Sequence, residues 1–98
     1  MSEEHEETGR TLAWKAMLIT AGVARQKGDQ SQADMLYHRA LAAAEKRLGE
    51  NNIVVALVLM EIAEYYDSLR QHQRSEPLYC RVREILSACA RDVLDSQV

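Results

Sequence analysis

Histidine and cysteine are the side chains of this 98-residue protein best suited to bind a metal ion or attack a substrate. A metal site needs several such ligands to converge, but His5 lies among glutamates and His72 in a polar turn. His38 and Cys80 border predicted buried stripes, and Cys89 falls on an apolar stripe, where a buried small hydrophobe is expected. No glycine-rich phosphate loop or nucleophile motif occurs. The sequence therefore predicts no catalytic, metal or cofactor site, and we expect a protein that is not an enzyme.

Charge and composition restrict the classes of partner that the protein could bind and the cellular compartment in which it is expected. The net charge of -3 argues against a nucleic-acid binder, which normally has a basic surface. No apolar run approaches the ~20 residues of a membrane span, and the acidic start M-S-E-E-H-E-E is unlike a secretory signal. Cys80 and Cys89 lie on one predicted helix and cannot easily form a disulfide with each other. Because free cysteines suit a reducing compartment, the sequence predicts a cytoplasmic protein that contacts neither membrane nor nucleic acid.

Apolar residues recur with helical spacing in four segments. These predicted helices cover about residues 10–27, 31–48, 53–69 and 73–94. The run that starts at Ile53 could be a buried strand, but its helical period continues too long for one. Pro77 is expected in the first turn of the last helix, where proline is tolerated. We predict a flexible acidic lead over residues 1–9 and one helical domain over residues 10–95.

A nine-residue segment of the second helix returns in the fourth. Residues 33–41 read A-D-M-L-Y-H-R-A-L, and residues 75–83, forty-two positions later, read S-E-P-L-Y-C-R-V-R. The two copies share Leu, Tyr and Arg at their fourth, fifth and seventh places. Such an echo predicts one helix-turn-helix unit used twice, with repeat 1 over about residues 10–49 and repeat 2 over about residues 52–94. The periodicity alone would also permit a plain four-helix bundle.

The turn Gly28-Asp29 followed by this segment resembles the tetratricopeptide repeat (TPR), in the 42-residue form of kinesin light chains. The resemblance implies an all-α fold of two antiparallel helix-turn-helix repeats, a fragment of a right-handed α-solenoid. It also implies that Tyr37 and Tyr79 pack at the helix junctions and that small residues let the helices approach. In the first repeat, these small residues are Ala21, Ala33 and Ala40. The second repeat departs from the family pattern because Arg70 replaces the glycine of the turn.

By the same resemblance, the first helix of each repeat lines a concave binding face. In repeat 1 this face comprises Lys15, Leu18, Gly22, Arg25 and Gln26. In repeat 2 it comprises Leu57, Met60, Glu64, Asp67 and Ser68. A groove with apolar walls, a basic first half and an acidic second half suits an amphipathic helix or an extended peptide of mixed charge. The alternative is that these positions simply face solvent.

A second candidate surface lies on the last helix, where an apolar strip exceeds what the third helix can cover. It consists of Val82, Ile85, Leu86, Cys89 and Val93. Because exposed apolar strips usually mark interfaces, we predict self-association, most simply as a two-fold dimer. Alternatively, the next repeat of a longer TPR array covers the strip.

The leading hypothesis is a non-catalytic TPR-type adaptor or scaffold that binds a protein or peptide partner and self-associates. A competing hypothesis is a structural or regulatory subunit that is held permanently in a larger complex. A ligand-binding helical bundle is the third possibility, and it requires a concave polar pocket that the sequence does not display.

Overall fold

The computed structural model describes the backbone of residues 2–96 and the side chains of residues 13–94. This part of the chain contains four helices and no strand, which confirms the predicted all-α class. The helices are α1 (Ser2–Gln26), α2 (Gln30–Leu48), α3 (Ile53–Ser68) and α4 (His72–Ser96). None of the helices within residues 2–96 combines the length and the apolarity that crossing a membrane requires.

The chain divides into two compact units, residues 1–47 and residues 48–98. Helix α1 packs on α2 in the first unit, and α3 packs on α4 in the second. Short turns make sequential helices antiparallel, so each unit is a helical hairpin, as the repeat predicted. The right-handed solenoid stays a prediction.

Helix α1 begins at Ser2, well before the predicted start near residue 10. The backbone of the acidic lead therefore continues the helix. Glutamate favours helix formation and suits the first helical turn, but these preferences leave no trace in an apolar periodicity. The flexibility of residues 1–9 and the domain bounds 10–95 stay predictions.

Small and aromatic side chains form the buried part of the first unit. These buried residues are Trp14, Ala21, Ala24, Ala33, Tyr37, Ala40, Leu41 and Ala44. Alanine at the packing positions lets two helix backbones approach closely, and one tyrosine fills the remaining space. The predicted packing residues Ala21, Ala33, Tyr37 and Ala40 are all among them.

The second unit is built around α3, which is buried over most of its circumference. Its buried residues are Val55, Ala56, Val58, Leu59, Ile62, Ala63, Tyr65 and Tyr66. From α4, Ser75, Val82 and Ile85 are also buried. A helix that is apolar nearly all round is a core helix, and this accounts for the strand-like run at its start.

The turn between α1 and α2 has the Schellman geometry, in which a left-handed residue ends the first helix. Gly28 has φ +80°. Its N–H donates to the Arg25 carbonyl at 3.1 Å, and the Asp29 N–H donates to the Ala24 carbonyl at 2.9 Å. The Asp29 carboxylate then accepts the Gln32 N–H at 3.2 Å and caps α2. Gly28 therefore ends α1, and Asp29 caps the start of α2.

The turn between α3 and α4 repeats this geometry without glycine. Arg70 has φ +60°, and its N–H donates to the Asp67 carbonyl at 2.9 Å. The Gln71 N–H donates to the Tyr66 carbonyl at 2.9 Å. The second turn therefore places an arginine in a backbone conformation that costs an L-residue energy.

Pro77 does not lie in the first turn of α4, as the sequence predicted. The helix begins at His72, so Pro77 is in its second turn. The predicted position was wrong because the turn ends earlier than its polar residues suggested. A proline there provides no N–H for the Gln73 carbonyl, four residues earlier.

Candidate interaction surfaces

The predicted binding residues of α1 follow one side of that helix. Lys15, Leu18, Gly22 and Arg25 are separated by three, four and three positions, which brings them to one face. Lys15 is exposed, and its Nζ lies 5.5 Å from the centre of the Trp14 ring. Leu18, Gly22 and Arg25 are half-buried, and Gln26 beside them is exposed.

A similar line of side chains on α3 forms what we call the α3 seam: Ile53, Leu57, Met60 and Glu64. Ile53 is 53% exposed and Leu57 61% exposed. Met60 is half-buried, and Glu64 is exposed. The spacing of four, three and four residues is that of a helix-packing seam. Sequence reasoning missed Ile53 because it opens an apolar run, although its position four residues before Leu57 could have revealed it.

Asp67, predicted on the same face, bonds instead to side chains of α4. Its Oδ1 accepts the Ser75 hydroxyl at 2.5 Å and lies 2.9 Å from His72 Nδ1. Its Oδ2 accepts the Tyr79 hydroxyl at 3.0 Å. We call these four residues the Asp67 cluster. Because the carboxylate is engaged inside its own hairpin, Glu64 is the acidic group that the α3 seam offers to a partner, and Ser68 lies exposed beyond it.

The Asp67 cluster shifts the pKa values of two of its residues in opposite directions. The hydrogen bond from Ser75 is the largest influence and lowers the pKa of Asp67; partial burial opposes it, while the His72 and Tyr79 bonds reinforce it. Burial is the largest influence on Tyr79 and raises its pKa, assisted by the hydrogen bond to Asp67 and the negative charges of Asp67 and Glu64. The cluster therefore favours an ionised Asp67 beside a neutral Tyr79.

The Asp67 cluster contains Ser, His and Asp, but its geometry is not that of a nucleophile. The buried Ser75 hydroxyl donates to Asp67 and also lies 3.2 Å from the backbone carbonyl of His72. An activated serine instead donates to the imidazole of a histidine that a carboxylate orients. The arrangement in this protein joins α3 to the start of α4.

The predicted strip on α4 divides into a buried and an exposed part. Val82 and Ile85 are buried, so they belong to the core and not to the surface. Leu86 and Val93 are exposed. Cys89 is half-buried, with its sulfur 3.5 Å from the Asn51 carbonyl, to which the thiol donates.

Four exposed residues of α4 also lie at a regular helical spacing, and they were not predicted as a surface from the sequence. We define the α4 seam as Arg83, Ser87, Ala90 and Leu94, all exposed and separated by four, three and four positions. Leu86 and Val93 flank it on one side, and Glu84 and Arg91 on the other. The mixed polar and apolar character of this seam conceals it from a search for apolar residues.

Within the side chains that the structure describes, no group of three or more His, Cys, Asp or Glu could hold a metal ion. No protein-family model matches the chain, and no curated protein or solved structure matches it either.

Proposed function

We propose that this protein is a non-catalytic, cytoplasmic protein-interaction module of the TPR type. It binds a protein or peptide through the first helix of a hairpin and self-associates through α4. Two correspondences at an offset of 42 residues support the repeat. Gly28 and Arg70 have the same left-handed backbone, and Ala33 and Ser75 are both buried at the start of the second helix.

The observation that carries the binding proposal is the exposure of Ile53 and Leu57 on a helix that is otherwise largely core. Leaving apolar area in water costs about 25 cal/mol per Å². A partner that covers both side chains recovers this free energy and provides a reason to bind. A single exposed apolar residue would need no explanation, but two of them at a four-residue spacing form a continuous surface.

The chemistry of the α3 seam indicates what such a partner looks like. Its start is apolar and its end carries the negative charge of Glu64, so apolar side chains one helical turn apart, followed by a lysine or arginine, are complementary to it. An amphipathic helix or an extended peptide has this pattern.

A peptide-display selection tests this proposal. The wild-type protein is the bait, and a variant carrying Leu57→Glu is used to remove peptides that bind elsewhere. We expect enrichment of peptides that combine apolar residues with a basic residue. Synthetic copies should bind the wild-type protein, lose roughly tenfold or more in affinity for Leu57→Glu, and weaken less for Glu64→Gln.

Asp92→Asn on α4 is the matched control for Glu64→Gln, because it also removes one negative charge from an exposed helix position outside the α3 seam. Circular dichroism should show equal helix content in all variants, since each altered side chain is exposed. If the selected peptides bind Leu57→Glu as tightly as the wild-type protein, the α3 seam is not the binding surface.

A further inference from the structure

We propose that α4 pairs with α4 of a second copy in an antiparallel arrangement, in which Glu84 of each copy faces Arg91 of the other. This inference rests on the self-association in the proposed function and specifies its geometry. The partner is a second copy of this chain, and the recognition elements are the α4 seam and its two flanks.

The two hairpins differ in the exposure of equivalent positions on their second helices, α2 and α4. Leu41 and Ala44 of α2 are 9% and 0% exposed. Their counterparts 42 residues later are Arg83, which is exposed, and Leu86, which is 43% exposed. The second hairpin therefore presents to solvent a helix face that is covered in the first.

The α4 seam is suited to close helix pairing. Ser87 and Ala90 occupy its centre, and small side chains let two helix backbones approach. Leu94 and the aliphatic part of Arg83 close its ends. The Arg83 guanidinium lies 3.8 Å from Glu76 and 3.1 Å from the Cys80 sulfur, so its charge is accommodated on its own helix.

The order of residues along the α4 seam selects the antiparallel orientation. A parallel pair would place Arg83 directly beside Arg83 of the second copy and bring like charges together. An antiparallel pair centred between residues 88 and 89 places Arg83 against Leu94 and Ser87 against Ala90. The two Arg83 residues are then about 16 Å apart along the helix axis, at 1.5 Å per residue.

The flanks are complementary in the same register. Glu84 and Arg91 are seven residues apart and therefore share one flank. In a two-fold antiparallel pair, this flank lies beside the same flank of the second copy, which runs in the opposite direction. Glu84 of each copy then lies near Arg91 of the other, so the pair has two equivalent contacts. On the other flank, Leu86 lies near Val93 of the second copy. One side of the interface is thus ionic and the other apolar, and both are self-complementary.

Charge exchange tests this register. The variants Glu84→Arg and Arg91→Glu each replace two attractive contacts by two repulsive ones, and we expect either change alone to weaken self-association by roughly ten- to a hundredfold. An equal mixture of the two variants restores both attractive contacts in a mixed dimer. Sedimentation equilibrium on the single variants and on the mixture measures the three dissociation constants. The matched control is Asp92→Arg, an equal charge change at an exposed position outside the seam and its flanks, which should leave the dissociation constant within about threefold.

The neutral variants Glu84→Gln and Arg91→Gln provide a second measurement in which no repulsion is introduced, and each should weaken the dimer by less than the charge reversal. A mixture that stays as weak as its components overturns the register but leaves self-association intact. A monomeric wild-type protein at high micromolar concentration overturns both the register and the self-association. Binding of peptides to the α3 seam is measured separately and does not depend on either result.

Discussion

Gly28 and Arg70 occupy the same position in two helix-ending turns, and both have a left-handed backbone, with φ +80° and +60°. A side chain at position 28 would meet no atom within 4 Å. The cost of any residue other than glycine in this turn therefore comes from the backbone conformation itself. Arg70 bears this cost in the second hairpin, and glycine avoids it in the first.

Introducing glycine at the second turn and removing it from the first should change the free energy of unfolding in opposite directions. We expect Arg70→Gly to raise the free energy of unfolding by about 0.5–1 kcal/mol, because relief of the left-handed strain outweighs the extra freedom of glycine in the unfolded chain. Gly28→Ala should lower it by about 1 kcal/mol. Urea denaturation followed by circular dichroism measures both changes. A loss of stability in Arg70→Gly would show that its side chain makes stabilising contacts that exceed the backbone strain.

Pro77 gives a second stability prediction. It lies exposed in the second turn of α4, where it provides no N–H for the Gln73 carbonyl. Pro77→Ala should raise the free energy of unfolding by about 1–3 kcal/mol, because alanine restores the donor and is a better helix former. Thermal denaturation is the measurement, with Asp92→Ala as an exposed control on the same helix, outside the α4 seam and its flanks. An unchanged or lower midpoint would contradict the prediction.

Acid should weaken the second hairpin through Asp67. Its pKa in the folded protein lies below the ordinary value of 3.8, so the stabilisation is complete above that pH and is lost as the pH falls through the lower folded value. Asp67→Asn should lower the thermal midpoint at neutral pH, and the difference from wild type should shrink in acid. Asp92→Asn, which removes an exposed carboxylate elsewhere on α4, is the control. A difference that is constant with pH would show that the Asp67 charge does not stabilise the fold.

Neighbouring residues on α4 should respond differently to truncation. Ile85 is buried, whereas Leu86 is exposed. Ile85→Ala should cost about 2–5 kcal/mol because it leaves a cavity. Leu86→Ala should cost under about 1 kcal/mol in a dilute sample but weaken self-association. Denaturation at low concentration and sedimentation at high concentration separate the two effects, and equal losses of stability would place Leu86 in the core.

The helices could be predicted because apolar spacing records which side of each helix is buried. The same spacing could not locate the start of α1, where glutamates extend the helix without an apolar face. Apolar spacing also could not distinguish the buried from the exposed residues of the strip on α4. Ile85 and Leu86 are equally apolar, and only tertiary packing distinguishes them. Asp67 was predicted on the binding face because of the resemblance to TPR helices. Its bonds to Ser75 and Tyr79 depend on how α4 returns beside α3, which no local pattern records.

The Asp67 cluster also has a consequence for the order of events in folding. Its bonds join residues only five, eight and twelve positions apart in the chain. Contacts of such short sequence separation close small loops, which loses little chain entropy and takes little time. The second turn should therefore form before the transition state for folding of its hairpin. In stopped-flow experiments, Ser75→Ala should mainly slow refolding and leave the unfolding rate nearly unchanged.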